Sequence, residues 1–450
     1  MNQPHKILAI GYYDDFARFF LDVFKKLRSK GSFQITYLNL YFSGFLFCLS
    51  RFKFHGWINP KILWLILKNT KKYENFIAEK KDVYKGINVE KVINYHMRLP
   101  NPKKRRLTKT ALAYIDLFHE LIDIKSPDLL FLSGDSRMSV EILIEIANSK
   151  NIPCLHFEQA PFGCTIVDPK GVNANASVRN FTPTHSKRTP EELRIENTAF
   201  MSRSKEKKYK RNPIFRGFDY LFQLTLGSSG LLTEDTKMPT EYKSYVTTPE
   251  AKHFKFNEND NQETLDLLLI LQVPFDVNMI YHSNLFKNHY EVVANAIRSI
   301  PSNSRLRVRE HPLYKGKYEP ELYEVINSST NVFIDSAGLI ESIEASNIVI
   351  VNNSTVGIEA LAQNKPVISL GNSYYDSVCF KINSPDELNA TIESITKSGS
   401  KQKPEAQLFL RHLFKQYYIE GHYRDNTLIC AEPIAEKIIS FIEDPDQARH

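Results

Sequence analysis

Two parts of this 450-residue chain show the same alternation of short apolar runs and amphipathic stretches. Short apolar runs bounded by turn residues predict buried strands, and apolar residues spaced three and four apart predict helices that cover them. Such alternation is typical of parallel sheets with crossover helices. The predicted strands are 6–10, 34–40, 128–132, 153–157, 265–272, 306–309, 331–334, 348–351 and 366–370, and the predicted helices are 16–27, 140–148, 290–300, 320–327, 338–345, 386–396, 405–418 and 431–442.

The two alternating parts predict two domains, because a chain of this length exceeds one ordinary hydrophobic core. We expect an N-terminal Rossmann-like domain at 1–262, with an irregular basic insertion at 181–262. A C-terminal Rossmann-like domain is expected at 263–400, and helices at 401–450 are expected to pack back toward the N-terminal domain. The predicted fold class is α/β and GT-B-like, with two doubly wound domains facing a central cleft that holds the ligand.

Composition limits the classes of protein. The 42% hydrophobic and 24% charged residues are typical of a globular chain. Five cysteines lie far apart without a C-x-x-C pair, which argues against a disulfide framework or a zinc site and fits a reducing cytosol. No secretory signal precedes the first strand pattern, and no apolar run reaches the roughly 18–20 residues of a spanning helix. We therefore expect a soluble, cytoplasmic protein.

The net charge of +7 is concentrated in one segment, 202–216, which holds seven Lys or Arg against one Glu. A solvated loop, a nucleic-acid patch and a surface for anionic lipid or polymer all remain open. No nucleic-acid motif accompanies the charge, and the aromatic residues from Phe215 to Phe222 favour a membrane surface. We expect no nucleic-acid partner and a peripheral contact with an anionic membrane through 202–216.

Residues 348–371 predict one βαβ unit with polar side chains where its helix begins. Asn353, Ser354 and Thr355 follow the strand, and the N–H groups and positive end of such a helix can bind an anion. Glu359, one turn further on, could accept a hydrogen bond from a ribose. Ser354 could also be only an N-cap, and the segment alone leaves both interpretations open.

Two more predicted strand ends in this half of the chain carry polar side chains. Gln272 and Asp276 flank a proline that stops the strand, and Asp276 is either a turn former or a functional carboxylate. His311 follows the next strand and precedes a proline. Its imidazole is either a surface histidine or a group that holds a phosphate oxygen or protonates a leaving group. Arg309 and Lys315 would add positive charge beside it.

Glu158 follows the strand predicted at 153–157 in the first half of the chain. It is either a partly solvated acid or a general base for an acceptor hydroxyl across the cleft. We expect no metal site, because the histidines are scattered and no acidic pair has ligand spacing. No Walker, Rossmann, H-E-x-x-H or G-x-S-x-G motif is present, which disfavours hydrolases and dehydrogenases, and no cofactor is expected.

Together these segments resemble the capsule polysaccharide synthesis family, the retaining β-Kdo transferases of bacterial capsule assembly. Residues 272–276 are similar to the family's QP element, His311-Pro312 to its HP element, and 353–367 to its nucleotide-phosphate element. Residues 157–163 and 168–173 resemble an acidic segment of the N-terminal domain. The order and spacing of these short motifs carry the resemblance, which does not extend to the first 125 residues or to the basic insertion.

The resemblance implies a metal-independent GT-B glycosyltransferase that uses a CMP-activated sugar acid and retains the anomeric configuration. It implies Asp276 as the nucleophile, Glu158 as the base for the acceptor hydroxyl, and His311 as a stabiliser of the leaving phosphate. The other implied site residues are Gln272, Asn353, Ser354, Thr355 and Glu359 for the nucleotide, and Arg309 and Lys315 for the donor carboxylate.

The implied partners are a nucleotide-sugar donor and a glycan or glycolipid acceptor. Two alternatives remain open. One is another GT-B transferase, either sialyltransferase-like or CDP-polyol phosphotransferase-like, and the other is a non-catalytic component that binds or helps to export polysaccharide. Resemblance in fold does not decide between substrates.

Overall fold

The computed structural model describes residues 3–99, 101–182, 188–201, 206–227, 232–236, 252–254 and 264–444. The expected α/β, GT-B-like class is confirmed, since the chain forms two Rossmann-type units, each with a sheet and helices. Unit 1 consists of Met1–Val172, Ser204–Pro239 and Tyr418–His450, and unit 2 consists of Asn173–Arg203 and Thr240–Tyr417.

The strands are β1 (His5–Gly11), β2 (Phe33–Asn39), β3 (Gly56–Trp57), β4 (Val83–Tyr84), β5 (Ile87–Asn88), β6 (Leu129–Ser133), β7 (Cys154–Ala160), β8 (Cys164–Asp168), β9 (Leu265–Ile270), β10 (Ser304–Arg309), β11 (Val332–Ile334), β12 (Ile348–Val351), β13 (Val367–Ser369), β14 (Phe380–Lys381) and β15 (Tyr418–Glu420). The helices are α1 (Asp14–Lys30), α2 (Phe42–Ser50), α3 (Asn59–Lys68), α4 (Thr70–Ala78), α5 (Val89–Met97), α6 (Lys104–Lys125), α7 (Met138–Ser149), α8 (Pro190–Met201), α9 (Pro213–Leu226), α10 (Val277–Tyr281), α11 (His289–Ser299), α12 (Pro320–Ser328), α13 (Leu339–Ala345), α14 (Val356–Ala362), α15 (Glu387–Lys397), α16 (Ala406–Gln416) and α17 (Ala431–Glu443).

Unit 1 is built on a sheet with the strand order β15-β8-β7-β6-β1-β2-β3. The strands from β7 to β3 pair in parallel, whereas β8 and β15 are antiparallel. The chain enters at β1 and then places strands on both sides of it, so the topological switch point lies between β1 and β6. Phe20 of α1 packs 5.6 Å from the ring of Phe131 and 5.5 Å from that of Phe157, which joins helix and sheet in one aromatic core.

Unit 2 is built on a parallel sheet with the order β11-β10-β9-β12-β13-β14. Here the switch point lies between β9 and β12, because β10 and β11 extend one side and β12 to β14 the other. The strands are mostly apolar, except that β10 carries Arg305, Arg307 and Arg309 on one face, where they form ion pairs with Asp266 of β9 and with Asp335. Fully buried Arg307 contacts Asp266 at 2.7 Å and Asp335 at 3.5 Å, and each buried charge is compensated by this pairing.

The predicted strands and helices outside 181–262 are present, with ends shifted by a few residues. Strand β7 is longer than predicted and continues through Glu158 to Ala160 before it returns as β8. Glu158 and Gln159 interrupt the apolar run, so the sequence pattern did not show that the strand continues to Ala160 and returns as β8 after the turn Pro161–Gly163. Glu158 therefore lies within a strand, although its pairing with β6 has ended at Phe157.

The insertion expected to be irregular contains two helices, α8 and α9. Helix α8 packs on α16, where the Asn197 amide donates to the carbonyl of Gln407 at 2.9 Å. Helix α9 packs on α2, and the backbone N–H of Ser43 donates to Asp219 at 3.0 Å. Tertiary contacts therefore stabilise two helices within 181–262, a region in which the sequence pattern predicted none.

The division into units differs from the predicted domains, since the second part of unit 2 begins at 240 rather than at 263, and two further regions differ. Residues 173–203 belong to unit 2, since α8 packs on α16, and the C-terminal region is shared between the units. Helix α16 belongs to unit 2, and α17 packs on α1 of unit 1, where Lys30 contacts Glu432 at 2.6 Å. In the described residues, no helix is both long and apolar enough to cross a membrane.

Candidate functional site

Three adjacent strands of unit 2 end with predicted site residues at one edge of the sheet. His311 follows β10, Gln272 and Asp276 follow β9, and Asn353 and Ser354 follow β12. The carboxyl ends of parallel strands meet at the same edge, and doubly wound folds bind ligands at the switch point there. These five residues therefore surround the position at which this unit would hold a ligand.

Asp276 is the N-cap of α10. Its Oδ1 accepts a hydrogen bond from the backbone N–H of Asn278 at 3.1 Å, so the turn role left open by the sequence is realised. The preceding residue, Phe275, has a φ of 59°, a left-handed conformation that is strained for an aromatic residue. Burial raises the pKa of Asp276. A carboxylate has about four lone-pair positions, so the cap leaves others for a substrate.

His311 presents a hydrogen-bond donor rather than a charge. Its Nδ1 accepts from the backbone N–H of Leu313 at 3.3 Å, so the neutral ring carries its proton on Nε2. Burial lowers the pKa of His311, which keeps the ring neutral near pH 7. The side chain is half-buried, and its Nε2–H can donate to an anionic oxygen.

Tyr318 joins the loops that carry Gln272 and His311. Its hydroxyl donates to the carbonyl of Gln272 at 3.0 Å and accepts from the backbone N–H of His311 at 2.9 Å. Burial, followed by the negative charge of Asp276, raises the pKa of Tyr314, whose backbone N–H donates to the His311 carbonyl at 2.8 Å. These contacts bring Asp276 and His311 to neighbouring positions.

The sequence did not indicate the residues that hold the His311 loop. Glu310 is buried and accepts from the hydroxyl of Tyr323 and, at 2.8 Å, from the backbone N–H of Gly316. Because Glu310 directly precedes His311, the sequence alone would allow its carboxylate a chemical role. The structure gives Glu310 a positioning role instead.

Gln272 is a buried amide without a protein partner. Its side chain is 6% exposed, and within the described part of the chain neither Nε2 nor Oε1 makes a hydrogen bond. Leaving a buried polar group unpaired costs about 1–3 kcal/mol, and such groups call for an explanation such as a ligand. The amide belongs to the loop that carries Asp276, which Tyr318 joins to the loop of His311, and it is suited to a polar ligand.

Asn353 has a structural contact that the sequence did not reveal. Its Nδ2 donates to the carbonyl of Asn278 at 2.9 Å, which ties the turn after β12 to helix α10. Its Oδ1 is buried and has no partner among the described residues. Asn353 therefore positions the Asp276 turn with one atom and leaves the other for a ligand or water.

Ser354 and Thr355 begin a short helix. The hydroxyl of Ser354 accepts from the backbone N–H of Val356 at 3.3 Å, so the capping interpretation is realised. Thr355 makes no side-chain capping bond, and both residues are half-buried. Helix α14 has only seven residues, so the dipole expected from the sequence is that of a short helix.

Glu359 lies on the first turn of α14 and is half-buried. The helix is fixed by Tyr375, whose hydroxyl donates to the carbonyl of Ser354. Gly357 permits this contact, because a Cβ there would lie 2.6 Å from the Tyr375 hydroxyl oxygen. The position of Glu359 is compatible with the expected role toward a ribose, which stays a prediction.

Arg309 and Lys315 differ in their surroundings. Arg309 donates to the carbonyl of Ala337 at 2.6 Å and to the hydroxyl of Ser342 at 3.2 Å, and its guanidinium lies 3.5 Å from Asp335. Lys315 is exposed on the turn after His311. The structure therefore gives Arg309 internal partners and favours Lys315 for a ligand carboxylate.

Glu158 belongs to unit 1. It is half-buried on β7, its Oε1 accepts from the backbone N–H of Gln159 at 2.8 Å, and its charge acts on Tyr12 and Tyr423. Its Oε2 lies 3.8 Å from the position of a Cβ on Gly134, which places it beside the loop after β6. In the described ranges, no three His, Cys, Asp or Glu side chains come together as a metal site.

Part of the basic segment is fixed to the start of α1, and residues 202–205 of it lie outside the described residues. Arg211 contacts buried Asp15 at 2.8 Å, and the backbone N–H of Asn212 donates to buried Asp14 at 2.7 Å. The ion pair of Arg211 neutralises part of the basic charge for which the sequence favoured a membrane contact. Of its lysines, those at 207, 208 and 210 are exposed.

Helix α9, which follows these lysines, exposes an apolar stripe. Ile214, Phe218, Leu221 and Leu224 are spaced by three and four residues and are all exposed, Leu224 at 81%. The two charged residues of α9, Arg216 and Asp219, pair with each other and are largely buried. The outer face of α9 therefore carries no charged side chain.

Two Rossmann-type units with polar residues at a switch point define the class of GT-B-like α/β proteins. Residues 195–423, just over half of the chain, match the family described as capsule polysaccharide biosynthesis protein, and the chain belongs to this family. The resemblance stated from the sequence motifs is thereby confirmed.

Three other proteins are similar to this chain. Protein FixF of Sinorhizobium fredii is 29% identical over 176 residues, and the match covers 37% of this chain and 41% of that protein. The chain thus spans less than half the length of this curated relative. KpsC of Thermosulfurimonas dismutans, a beta Kdo 2,7 transferase, has a TM-score of 0.35 at 15% identity. The match covers 72% of this chain and 88% of the KpsC chain.

The UDP-GlcNAc 2-epimerase of Methanocaldococcus jannaschii, in complex with UDP-GlcNAc and UDP, has a TM-score of 0.36 at 11% identity. This match covers 97% of this chain and 99% of the epimerase. At such TM-scores neither of the two solved structures carries an argument about the activity of this chain.

Proposed function

We propose that this chain is a glycosyltransferase of bacterial surface polysaccharide synthesis, of the capsule type. It transfers Kdo or a related sugar acid from a CMP-activated donor, with retention and without a metal. Family membership supports the pathway, and the carboxylate of Asp276 and the Nε2–H of His311, on two loops that Tyr318 joins, support the chemistry. The observation that carries the proposal is the buried, unpartnered amide of Gln272 on the loop of Asp276.

The proposed reaction proceeds in two displacements. A carboxylate oxygen of Asp276 forms a bond to the anomeric carbon as the bond from that carbon to the CMP phosphate oxygen breaks. His311 donates a hydrogen bond from Nε2 to the departing phosphate. Glu158 then takes the proton of the acceptor hydroxyl, whose oxygen displaces Asp276 from the anomeric carbon, and two inversions give net retention.

The other predicted residues have proposed binding roles. Gln272, Ser354, Thr355 and Glu359 bind the nucleotide, and Lys315 binds the donor carboxylate. Asn353 acts through the Asp276 turn, to which it is hydrogen-bonded. Arg309 is left with a structural role because Asp335 and two other acceptors already hold it.

The first test is CMP release from CMP-Kdo by the full chain, with and without a Kdo-bearing lipid acceptor. Asp276→Asn is the decisive variant, because asparagine is as good an N-cap as aspartate but is no nucleophile. We expect it to lower CMP release by about 10³-fold or more while the thermal midpoint is preserved. Asp276→Ala should lose the activity and also about 1 kcal/mol of cap stability.

Full activity of Asp276→Asn would remove the nucleophile and leave Asp276 as a cap. CMP that protects the fold against heat without being released would favour the non-catalytic, polysaccharide-binding alternative. CMP release from a different CMP-activated sugar, but not from CMP-Kdo, would favour a sialyltransferase-like enzyme. No response to CMP in either assay would contradict the proposed donor class.

We also propose that the protein meets an anionic membrane through α9 and the lysines before it. The uncharged apolar stripe of α9 is suited to the acyl boundary, and the exposed lysines at 207, 208 and 210 are suited to anionic headgroups. This contact would bring the enzyme to a lipid-linked acceptor.

Flotation with vesicles tests the membrane contact. The protein should float with vesicles rich in phosphatidylglycerol and not with pure phosphatidylcholine. Leu221→Glu together with Leu224→Glu should abolish flotation. Ile124→Glu is the matched control, since Ile124 is an exposed apolar residue on another helix of unit 1. Unchanged flotation of the double variant would contradict the assignment to α9.

A further inference from the structure

The switch point of unit 1 carries a cation and a group of tyrosines that no step proposed above uses. Tyr12 follows β1, and Arg137 follows β6 as the N-cap of α7. The guanidinium of Arg137 lies 4.4 Å from the centre of the Tyr12 ring, and the Tyr12 hydroxyl donates to the carbonyl of Ser133 at 3.2 Å. This edge is the position at which a doubly wound unit binds its ligand.

Arg137 differs from the other arginines near this edge. Arg211 pairs with Asp15, and Arg216 pairs with Asp219. In the part of the chain that the structure describes, Arg137 forms no ion pair. Its strongest electrostatic neighbours are the tyrosines at 12, 13, 41 and 95, and it keeps part of its surface exposed. A guanidinium in such an aromatic setting is weakly hydrated and available to a planar anion.

The proposed catalytic base lies beside the same loop. Glu158 acts electrostatically on Tyr12, on whose ring Arg137 lies. The Glu158 Oε2 is 3.8 Å from the position of a Cβ on Gly134, which has a φ of +71° and belongs to the loop between β6 and Arg137. An acceptor hydroxyl at Glu158 would therefore have its other substituents near Arg137.

We propose that Arg137, with Tyr12 and Tyr41, is the acceptor subsite and binds the carboxylate of a sugar acid at the end of the acceptor glycan. This inference rests on the proposed function, whose base is Glu158, and it names the class of acceptor. The guanidinium donates two N–H groups to the two carboxylate oxygens. The Tyr12 ring supports the guanidinium from one face.

The charges around Arg137 favour a monoanion over a phosphate. Asp235 acts on both Arg137 and Tyr12, and it accepts from the hydroxyl of Tyr114 at 2.9 Å. His96 lies near Arg137, and burial lowers its pKa to about 3, so it adds no positive charge. A single guanidinium matches one negative charge, and the carboxylates of Glu158 and Asp235 nearby repel a ligand more strongly as its negative charge increases, which disfavours a doubly charged phosphate.

The test is a calorimetric titration of the full chain with the methyl glycoside of Kdo, with its C1 carboxamide and with inorganic phosphate. The wild-type protein should bind the carboxylate at least about ten-fold more tightly than either of the others, the factor expected from one charge-assisted pair. Arg137→Gln should weaken binding of the glycoside by about ten-fold or more. Arg137→Lys should lie between the two, because lysine cannot donate in a fork.

Two controls separate this subsite from the rest of the protein. Arg28→Gln is the matched substitution at an exposed arginine of the same unit and should bind the glycoside normally. Heat protection by CMP should be equal in Arg137→Gln and wild type, which shows that Arg137→Gln is folded. Lys315→Met should also leave glycoside binding unchanged, which excludes the proposed donor site as the place of binding.

Each outcome bears on the subsite or on the transferase. If glycoside binding depends on Arg137 but the protein releases no CMP from any donor, the proposed subsite would be supported and the proposed transferase activity would be contradicted. Normal CMP release combined with equal binding of carboxylate and carboxamide would overturn the subsite alone. Tighter binding of phosphate than of the glycoside, or no binding of the glycoside by the wild-type protein, would also overturn it.

Discussion

The switch points of the two units have the same backbone plan and different side-chain chemistry. In unit 2, the edge carries a carboxylate, an imidazole and an amide, and short contacts with backbone groups hold the first two. In unit 1, the edge carries a guanidinium among tyrosines, with the carboxylates of Glu158 and Asp235 nearby. In the proposed function, the same Rossmann plan would present a nucleophile and a hydrogen-bond donor in unit 2, and a base beside an anion-binding guanidinium in unit 1.

The difference teaches how one scaffold supports two tasks. The strands of both units are buried and apolar, so they fix only where the loops begin. The residues directly after the strands then decide the chemistry. In unit 2 these residues double as helix caps, as Asp276 and Ser354 show, whereas in unit 1 Arg137 occupies a cap position without a side-chain capping bond.

The largest expected effect concerns His311 in unit 2. His311→Asn keeps an acceptor near Nδ1 for the Leu313 N–H but removes the Nε2–H, so we expect turnover to fall by about 10²–10⁴-fold. His311→Gln supplies an N–H near the position of Nε2 and should recover part of the rate. Steady-state CMP release, with the thermal midpoint as a check on folding, measures both. Equal activity of all three proteins would remove His311 from the reaction.

The next effect distinguishes the two cations that the sequence treated alike. Arg309→Met should lower the free energy of unfolding by about 1–3 kcal/mol, because it leaves its buried acceptors unpaired. Lys315→Met should leave stability unchanged and raise the KM for the donor by roughly ten-fold, the value of one charge-assisted contact. Urea unfolding and donor titrations measure the two quantities. The reverse pattern would return the carboxylate contact to Arg309.

A smaller effect is expected at Gln272. Gln272→Met keeps the volume of the side chain and removes an unpaired buried amide, so the ligand-free protein should become more stable by about 1 kcal/mol. The same variant should lose heat protection by CMP. Leu269→Met, on the preceding buried strand, is the control for the introduction of a methionine. Lower stability together with unchanged CMP protection would show that Gln272 serves the fold.

The effect that is smallest near neutral pH, and that grows as the pH falls, is a pH dependence carried by one histidine in each unit. Burial lowers the pKa of His96 in unit 1 and of His289 in unit 2 to about 3. The pKa of an unfolded histidine is near 6.5, so between these values the unfolded chain binds one more proton. Stability should therefore fall as the pH falls below about 6.5, by up to about 1.4 kcal/mol per pH unit for each histidine.

Replacing either histidine isolates its share of that slope. His289→Asn and His96→Asn should each make the slope of unfolding free energy against pH less steep between about pH 6.5 and 4.5. The decrease should be up to the slope that one bound proton contributes, about 1.4 kcal/mol per pH unit. Urea unfolding at several pH values gives the slopes. An unchanged slope would mean that the ring is already protonated in the folded protein.

Local pattern was sufficient for most of the fold. The run Ile-Val-Ile-Val at 348–351 is buried on both faces, so its apolar character alone marked it as a strand. The polar residues after β9, β10 and β12 could also be predicted as neighbours, since parallel strands end at one edge. Family resemblance then added proposed roles that local pattern had left open.

Local pattern failed where distant contacts decide the structure. The apolar residues of α9 lie on two faces, one against α2 and one exposed, so no single amphipathic stripe was visible. Tyr318 acts on Gln272 from 46 positions away, and no spacing rule connects them. Helix α17 packs on α1 of unit 1, as expected for the C-terminal helices, but α16 packs on α8 in unit 2, a contact that no local pattern indicated.

The sequence by itself determined the class of fold, the strand ends that carry chemistry and the family, because these depend on residue types over short spans. The tertiary structure decided which of those residues are available. It gave Arg309 internal partners, left the amide of Gln272 without one in the described chain and set Arg137 among tyrosines. The reason is physical: the availability of a polar group depends on every group packed around it, and packing brings together residues that are far apart in the chain.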